Sequence, residues 1–558
     1  MASIVYSPTR SVEFNIYSFL ATPLRPQLMR DQSRENISRA SGRYLINDGS
    51  GVDVRPLYMM SVTPSELCDA DPVTINMLPD DVLLDIFDFY RMDVKNYVGP
   101  TYTWHRLVHV CRRWRDVVFA SPNRLDLRIL CTERTPVREL LDIWPHLPIV
   151  IRYWLYSTTS SSFPIPQASA VTALEHHDRI CELQLSHLTP SLLSMLATAL
   201  QESYPPLTTL ELWSDEETAP VLSDTFLGGS APRLQRIWLE GIAFPALPKL
   251  LLSTGGLVSL LLDKIPPDTG YISPEVMATT LSKLTKLKFL RIEFRDFRSP
   301  GLPPDIREFP QQLTRAVLPC LTWLEIRGVS EYVEDLMARI EAPLLENINI
   351  KLFNQLIFVI PQLLHFITYS EKLNCPNQAT VDFQSDLVQI ALSPPMGTKG
   401  NLILQVLCKV SHWQVSAMVQ ICNQALPLLT SVERLEICGG EYGFSPQEFQ
   451  DNVENAQWLE LFYPFIAVES LHVAEHLGSL TASALREITE RRAAEVLPVL
   501  RTLFLEEFEP SNFVQEVIKR FISAREGPVT VCRGKSEWER HVTSEHDLAV
   551  GQFFEIDD

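Results

Sequence analysis

Residues 205–212 read Pro-Pro-Leu-Thr-Thr-Leu-Glu-Leu, and the recurrence of that arrangement decides the fold. Leu207 is followed by Leu210 three positions on and by Leu212 two after that. Leu210 and Leu212 alternate as strand residues do, so both point to one face. Leu207 turns into the core where the chain comes into the strand. The same spacing returns as Ile180-Leu183-Leu185, Leu234-Ile237-Leu239, Leu257-Leu260-Leu262, Leu287-Leu290-Ile292 and Leu321-Leu324-Ile326. It continues as Leu345-Ile348-Ile350, Leu387-Ile390-Leu392, Val432-Leu435-Ile437, Val468-Leu471-Val473 and Leu500-Leu503-Leu505. Several copies follow a proline, which marks the loop leading into each strand.

A repeated unit that cannot bury its own apolar face stacks on its neighbours. The first copies, at 180, 207 and 234, are 27 residues apart, within the leucine-rich repeat range. Later spacings drift, and the gap between 392 and 432 has room for one more degenerate copy. Helices are expected between strands: from Ser273-Pro274-Glu275 to Leu284, at Tyr332–Ile340, at Trp413–Leu426 and at Ala482–Leu497. Strands alternating with helices at this short period imply an α/β solenoid with a parallel sheet curved into an arc.

Upstream, residues 77–120 carry a different period. Pro79 suits a first helical turn, and Asp80 and Asp81 place negative charge beside its free N–H groups. Val82, Leu83, Ile86, Phe87, Phe89 and Tyr90 give a broad apolar face at helical spacing. Trp104, Leu107, Val108 and Cys111 repeat the logic, with Arg112, Arg113 and Arg115 around Trp114. Two or three short helices cannot bury all this surface among themselves. Part of it should meet the next domain and part a partner protein.

This stretch resembles an F-box. The resemblance rests on Leu78-Pro79, Val82-Leu83-Leu84, Ile86-Phe87 and Val110-Cys111-Arg112-Arg113-Trp114-Arg115. The family's usual LPxEI opening stands here as Leu78-Pro79-Asp80-Asp81-Val82, and the connector Arg91–Thr103 is longer than the usual linker. The resemblance implies a small helical module that binds a Skp1-like adaptor and, through it, a cullin–RING ubiquitin ligase. Leu78, Pro79, Val82, Leu83, Ile86, Phe87, Trp104, Leu107, Val110, Cys111, Arg112 and Trp114 would form its core or its adaptor surface. The segment from Trp104 to Trp154 looks like the form common in F-box proteins of mushroom-forming fungi, where a leucine-rich-repeat-like domain follows the F-box. The implied role is a non-catalytic substrate-recognition subunit, with the repeat arc holding an unknown target protein. The competing reading is an adaptor-independent interaction scaffold.

The expected organisation is a poorly ordered or loosely docked 1–73, an F-box over 74–120, and a linking strand-helix segment over 121–179. The repeat domain then runs over 180–545, with a tail at 546–558. Within the link, Leu125–Leu130 and Ile149–Leu155 read as strands and Pro136–Trp144 as a helix. Near the end, Val514–Ala524 reads as a helix and Val529–Val531 as a closing strand.

Composition narrows the function. The 558 residues include 48 basic and 68 acidic, a net charge of −20, so nucleic acid is not expected as a partner, although a small local basic patch stays open. No CxxC pair occurs among ten cysteines, which argues for buried thiols in a reducing compartment. There is no apolar run long enough to span a membrane, and the opening MASIVYSPTRSVEF, without a basic start and sustained apolar core, is not expected to act as a secretory signal. A cytoplasmic or nuclear protein is expected, with no cofactor, metal or catalytic group.

Three histidine clusters suggest metal chemistry. His472-Val473-Ala474-Glu475-His476 matches H-x-x-E-H, but lies on an expected strand, where the two histidines stand too far apart. These read as surface or loop histidines. Glu175-His176-His177-Asp178 reads as a solvated turn, and His105 and His109 lack a third ligand. Target contacts are expected at outward strand positions: Glu211, Trp238, Glu325, Asn349, Glu436 and His472. The acidic ones favour a basic target or simply solubilise the sheet. Trp238 either anchors an interface or packs on a neighbouring repeat.

Overall fold

All eleven copies of the spacing become β-strands, and ten of them pair only in parallel. The structure is a computed structural model. It describes residues 75–94, 103–132, 137–144, 146–154, 166–295, 315–353, 358–395, 400–408, 410–439, 455–486, 495–506, 511–525, 527–534 and 538. The readings on 1–73, on most of the connector 91–103 and on 546–558 lie outside the described residues.

In chain order the strands are β1 (Ile129–Thr132), β2 (Ile149–Trp154), β3 (Ile180–Ser186), β4 (Thr209–Trp213), β5 (Arg236–Glu240) and β6 (Ser259–Ile265). They continue as β7 (Phe289–Phe294), β8 (Ala316–Val317), β9 (Trp323–Gly328), β10 (Ile340–Glu341), β11 (Asn347–Leu352) and β12 (Gln378–Phe383). The last are β13 (Leu387–Ser393), β14 (Asn401–Leu407), β15 (Arg434–Gly439), β16 (Ser470–Val473), β17 (Thr502–Leu505) and β18 (Thr530–Arg533). All but β8 and β10 join one 16-stranded sheet, ordered β1-β2-β3-β4-β5-β6-β7-β9-β11-β14-β13-β12-β15-β16-β17-β18. The segment 121–179 thus supplies the first two strands of the sheet, paired in parallel with β3.

The recurring leucine that precedes each strand sets the register. Just after it, backbone N–H groups reach the neighbouring strand: Gln235 to Thr208 O, Val258 to Gln235 O and Lys288 to Val258 O, each at 2.8 Å. Thr322 to Lys288 O and Glu346 to Thr322 O continue the ladder at 3.0 Å. Those leading residues (Leu207, Leu234, Leu257, Leu287, Leu321 and Leu345) are buried completely, each worth about 1.5–3 kcal/mol of transfer from water.

One insertion departs from the parallel rule. After β11 and the helix Pro361–Thr368 the chain forms β12, turns back through β13 antiparallel to it, and turns again into β14 antiparallel to β13. β14 lies parallel to β11, and β12 parallel to β15. The copy Leu387-Ile390-Leu392 therefore belongs to a meander. Val388, Ile390 and Leu392 take the core positions and Leu387 is only half-buried, because a strand reached by a hairpin has no inward turn at its start.

Helices fill the other layer near the expected places at Pro274–Leu281, Ser330–Arg339, Ser411–Gln424 and Asn512–Ser523. Of the expected Ala482–Leu497, residues 482–486 belong to the helix Gly478–Arg486, 487–494 lie outside the described residues and 495–497 are not helical. Ser273 caps the first through its Oγ, 3.4 Å from Val276 N, with Pro274 at the opening position. Upstream stand α1 (Asp80–Val94), α2 (Thr103–Val108) and α3 (Arg112–Ala120). Their buried residues Leu83, Phe87, Trp104, Val108 and Val118 join the solenoid interior in one continuous apolar core. No helix of the described residues is long and apolar enough to cross a membrane.

Candidate protein-interaction surfaces

The helical module sorts its apolar residues onto two sides of α1. Leu83 and Phe87 are 0 % exposed, while Val82, Ile86 and Phe89 are 39 %, 40 % and 76 % exposed. The exposed set follows helical spacing and forms one stripe. Met77 and Val110 are exposed as well. Of the other expected residues, Trp104 and Leu107 are buried and Leu78, Cys111 and Trp114 are half-buried, whereas Pro79 and Arg112 are exposed. Phe87 packs on Trp114 at 4.7 Å between ring centroids.

Polar contacts hold these helices together. Arg113 Nη2 donates to Leu78 O at 2.5 Å and pairs with Asp80 Oδ1 at 2.7 Å, tying α3 to the start of α1. Arg115 Nε donates to Val108 O at 3.1 Å. Cys111 caps α3, its Sγ accepting from Trp114 N at 3.4 Å. The sequence reading placed Cys111 in the core; a sulfur in place of the usual serine oxygen hid the cap.

Trp144, at the end of the helix Val137–Ile143, joins this module to the sheet. Its ring lies 5.3 Å from Trp104, 5.2 Å from His105 and 6.0 Å from Phe119. Trp104 Nε1 also donates to Arg128 O at 3.0 Å. Burial and, less, the neighbouring His109 push the His105 imidazole down to about 4. The pair His105 and His109 is thus part of an aromatic joint. Among the described residues, no group of three or more His, Cys, Asp or Glu side chains could hold a metal ion.

The outward face of the sheet carries all six expected target residues in one transverse row. The row runs Glu211, Trp238, Leu261, Arg291, Glu325, Asn349, Ile403, Ala391, Thr380, Glu436 and His472. Their shared position in the repeat makes this inevitable: each is the residue between the last two apolar ones. Their environments differ. Glu211 is buried against Arg236 at 3.1 Å, and burial raises its carboxyl above the ordinary range. Glu325 pairs with Arg291 at 2.8 Å and receives Asn349 Nδ2 at 3.4 Å. Trp238 is half-buried, packed on Trp213 at 4.8 Å and donating from Nε1 to Asp263 Oδ2 at 2.8 Å.

His472 differs from the expected surface or loop histidine. It is buried, stacked on Trp538 at 5.0 Å with 6° between ring planes, and its Nδ1 lies 3.3 Å from Glu436 Oε1. Trp538 also meets Phe504, the next residue of the row, at 5.2 Å. A residue remote in sequence thus covers this end of the face, and no local spacing announces it. The Glu175–Asp178 cluster forms the expected turn, with His177 Nδ1 2.8 Å from Ser203 O.

Residues 75–123 match the F-box-like family. No curated protein matches the chain. Among solved structures, it is similar to the leucine-rich repeat-containing protein LegL7 from Legionella pneumophila. The two are 11% identical, over 72% of this chain and 100% of that one, with a TM-score of 0.23. The chain thus places an F-box-like match ahead of an α/β solenoid of parallel strands and interleaved helices.

Proposed function

We propose that this protein is the substrate-recognition subunit of a cullin–RING ubiquitin ligase. It binds a Skp1-like adaptor through the helical module and a target protein through the repeat sheet. The observation that carries this reading is the exposed stripe Val82, Ile86 and Phe89 within the F-box-like match, beside a fully buried Leu83 and Phe87. A helix that buries one apolar face and leaves a second in water has a partner for the second. The protein makes no bond to ubiquitin in this scheme; it supplies proximity, with chemistry left to partner enzymes. The cytoplasm or nucleus would be the setting.

Co-expression with a Skp1-like adaptor followed by size-exclusion chromatography tests the reading. A stoichiometric complex is expected for the wild type and not for the Val82→Asp, Ile86→Asp double variant. Both positions are exposed, so that variant keeps its fold. Failure of well-folded wild type to form the complex would leave the adaptor-independent scaffold as the better account.

A further inference from the structure

On a chain of net charge −20, the leading edge of the sheet around β5, β6, β7 and β9 has the opposite sign. The chain reaches those four strands through residues 230–236, 252–259, 282–289 and 318–323. These segments contain Arg233, Arg236, Lys283, Lys286 and Lys288 and no aspartate or glutamate. All five basic residues are exposed. Arg236 is engaged by Glu211, but Arg233, Lys283, Lys286 and Lys288 have no partner among the described residues.

The ladder Gln235–Val258–Lys288–Thr322 places these segments side by side. Arg233 and Lys286 each stand directly before the leading leucine, two strands apart, with Gly256 between them. An aromatic step borders the strip. Trp323 stacks on Phe289 at 5.5 Å with 13° between planes, and remains 37 % exposed. Arg291 lies 5.9 Å over the Phe289 ring.

We propose that this strip docks an extended, Asp/Glu-rich segment of a partner protein, with an aromatic side chain of that segment laid on Trp323. The argument is charge complementarity and its layout. The cations stand on the approaches to β5 and β7, two strand-to-strand steps of about 4.8 Å apart, and Trp323 on β9 lies one step further, so the whole strip spans roughly 14 Å, the length of four or five extended residues. Cations distributed in a line suit a line of carboxylates; a single phosphate would be held by donors converging on one point. Gly255, Gly256 and Val258 between the two groups of cations, and Thr322 beside them, are neutral, so no carboxylate of these segments competes for the ammonium groups. The proposal rests on reading the repeat sheet as a protein-binding surface, and is independent of adaptor binding.

Fluorescence anisotropy on the full chain alone tests it. The probes are labelled peptides of about ten residues, long enough to cross the strip: one Asp/Glu-rich with a central tryptophan, its Asn/Gln counterpart, and that counterpart bearing one phosphoserine. The acidic peptide should bind, and should weaken as salt is raised. Lys283→Glu, Lys286→Glu and Lys288→Glu together should weaken it about tenfold or more, with Lys→Gln at the same sites giving a smaller loss. Trp323→Ala should lower affinity by about threefold, and Lys249→Glu, on the helix Leu247–Leu251 and outside the strip, should change nothing. Circular dichroism confirms that each variant is folded. No binding of the acidic peptide, equal binding of the neutral one, unchanged affinity in the folded triple variant, or tighter binding of the phosphoserine peptide would each overturn the proposal. A lost adaptor complex would leave all these outcomes untouched.

Discussion

The buried Glu334 carboxylate receives the backbone N–H of Leu363 at 2.9 Å, and Gln362 donates to its other oxygen at 2.8 Å. Glu334 stands on the helix Ser330–Arg339, and the two N–H groups open the helix Pro361–Thr368 of the next unit. That helix has no capping side chain of its own at Ile360. One repeat therefore caps the next. Glu334→Ala leaves both donors without acceptors and should cost about 2 kcal/mol in denaturant unfolding.

The same carboxylate gives a pH signature. Burial pushes it up from 4.5 to about 7, against the pull of the two N–H donors. The folded state thus binds the proton more tightly than the unfolded chain. The contribution is fully present below about 4.5 and is lost as pH rises towards and through about 7. Glu334→Gln keeps an acceptor but cannot ionise, so unfolding curves of this variant should lose that part of the slope. An unchanged slope would assign it to other groups.

His105 acts with the opposite sign. Its folded value is lowered from 6.5 to about 4, so the unfolded chain binds its proton more tightly. Its contribution is present above about 6.5 and is lost as pH falls through about 4. The imidazole stacks on Trp104 at 3.8 Å, and protonation in that position sets a charge into the joint between module and sheet. His105→Phe preserves the stack and should flatten the acid side of the stability profile between those limits. Thermal melts across that range read it directly.

On α1 the two faces should answer differently to substitution. Leu83→Ala and Phe87→Ala remove fully buried side chains and should each cost about 3 kcal/mol or more. Val82→Asn and Ile86→Asn change exposed ones and should stay within about 0.5 kcal/mol in the isolated chain. Urea unfolding separates these cases. Equal losses on both faces would mean that the exposed stripe is already covered within the chain.

The strands were legible because each repeat position carries the same physical demand: Leu207, Leu210 and Leu212 are buried, and so are their counterparts on every parallel copy. The transverse row of Glu211 through His472 was legible for the same reason. What the row's members touch was not. Glu211 is covered by Arg236, which the spacing places on the next strand without stating which way its side chain leans. His472 is covered by Trp538, which stands beyond β18 in sequence and outside every repeat of the spacing. The basic strip escaped notice because its cations come from segments separated by up to some fifty residues, each unremarkable by itself, and only the register adds them together.

The antiparallel insertion offers the sharpest check on the architecture. In a regular repeat the leading leucine is wholly buried, as Leu345 is before β11. Leu387 has the same place in the sequence pattern, yet it starts β13 after a hairpin from β12 and stays half-buried, paired in register with Leu407. Its neighbour Val388 takes the buried position instead. Leu387→Asn should therefore cost about 1 kcal/mol or less, since its side chain keeps access to water. Leu345→Asn puts an amide without partners into the core and should cost about 3 kcal/mol or more. Chemical unfolding of the two variants, side by side with Val388→Asn, decides between a meander and another parallel repeat. A severe loss at 387 with a mild one at 388 would reverse the assignment of faces on β13.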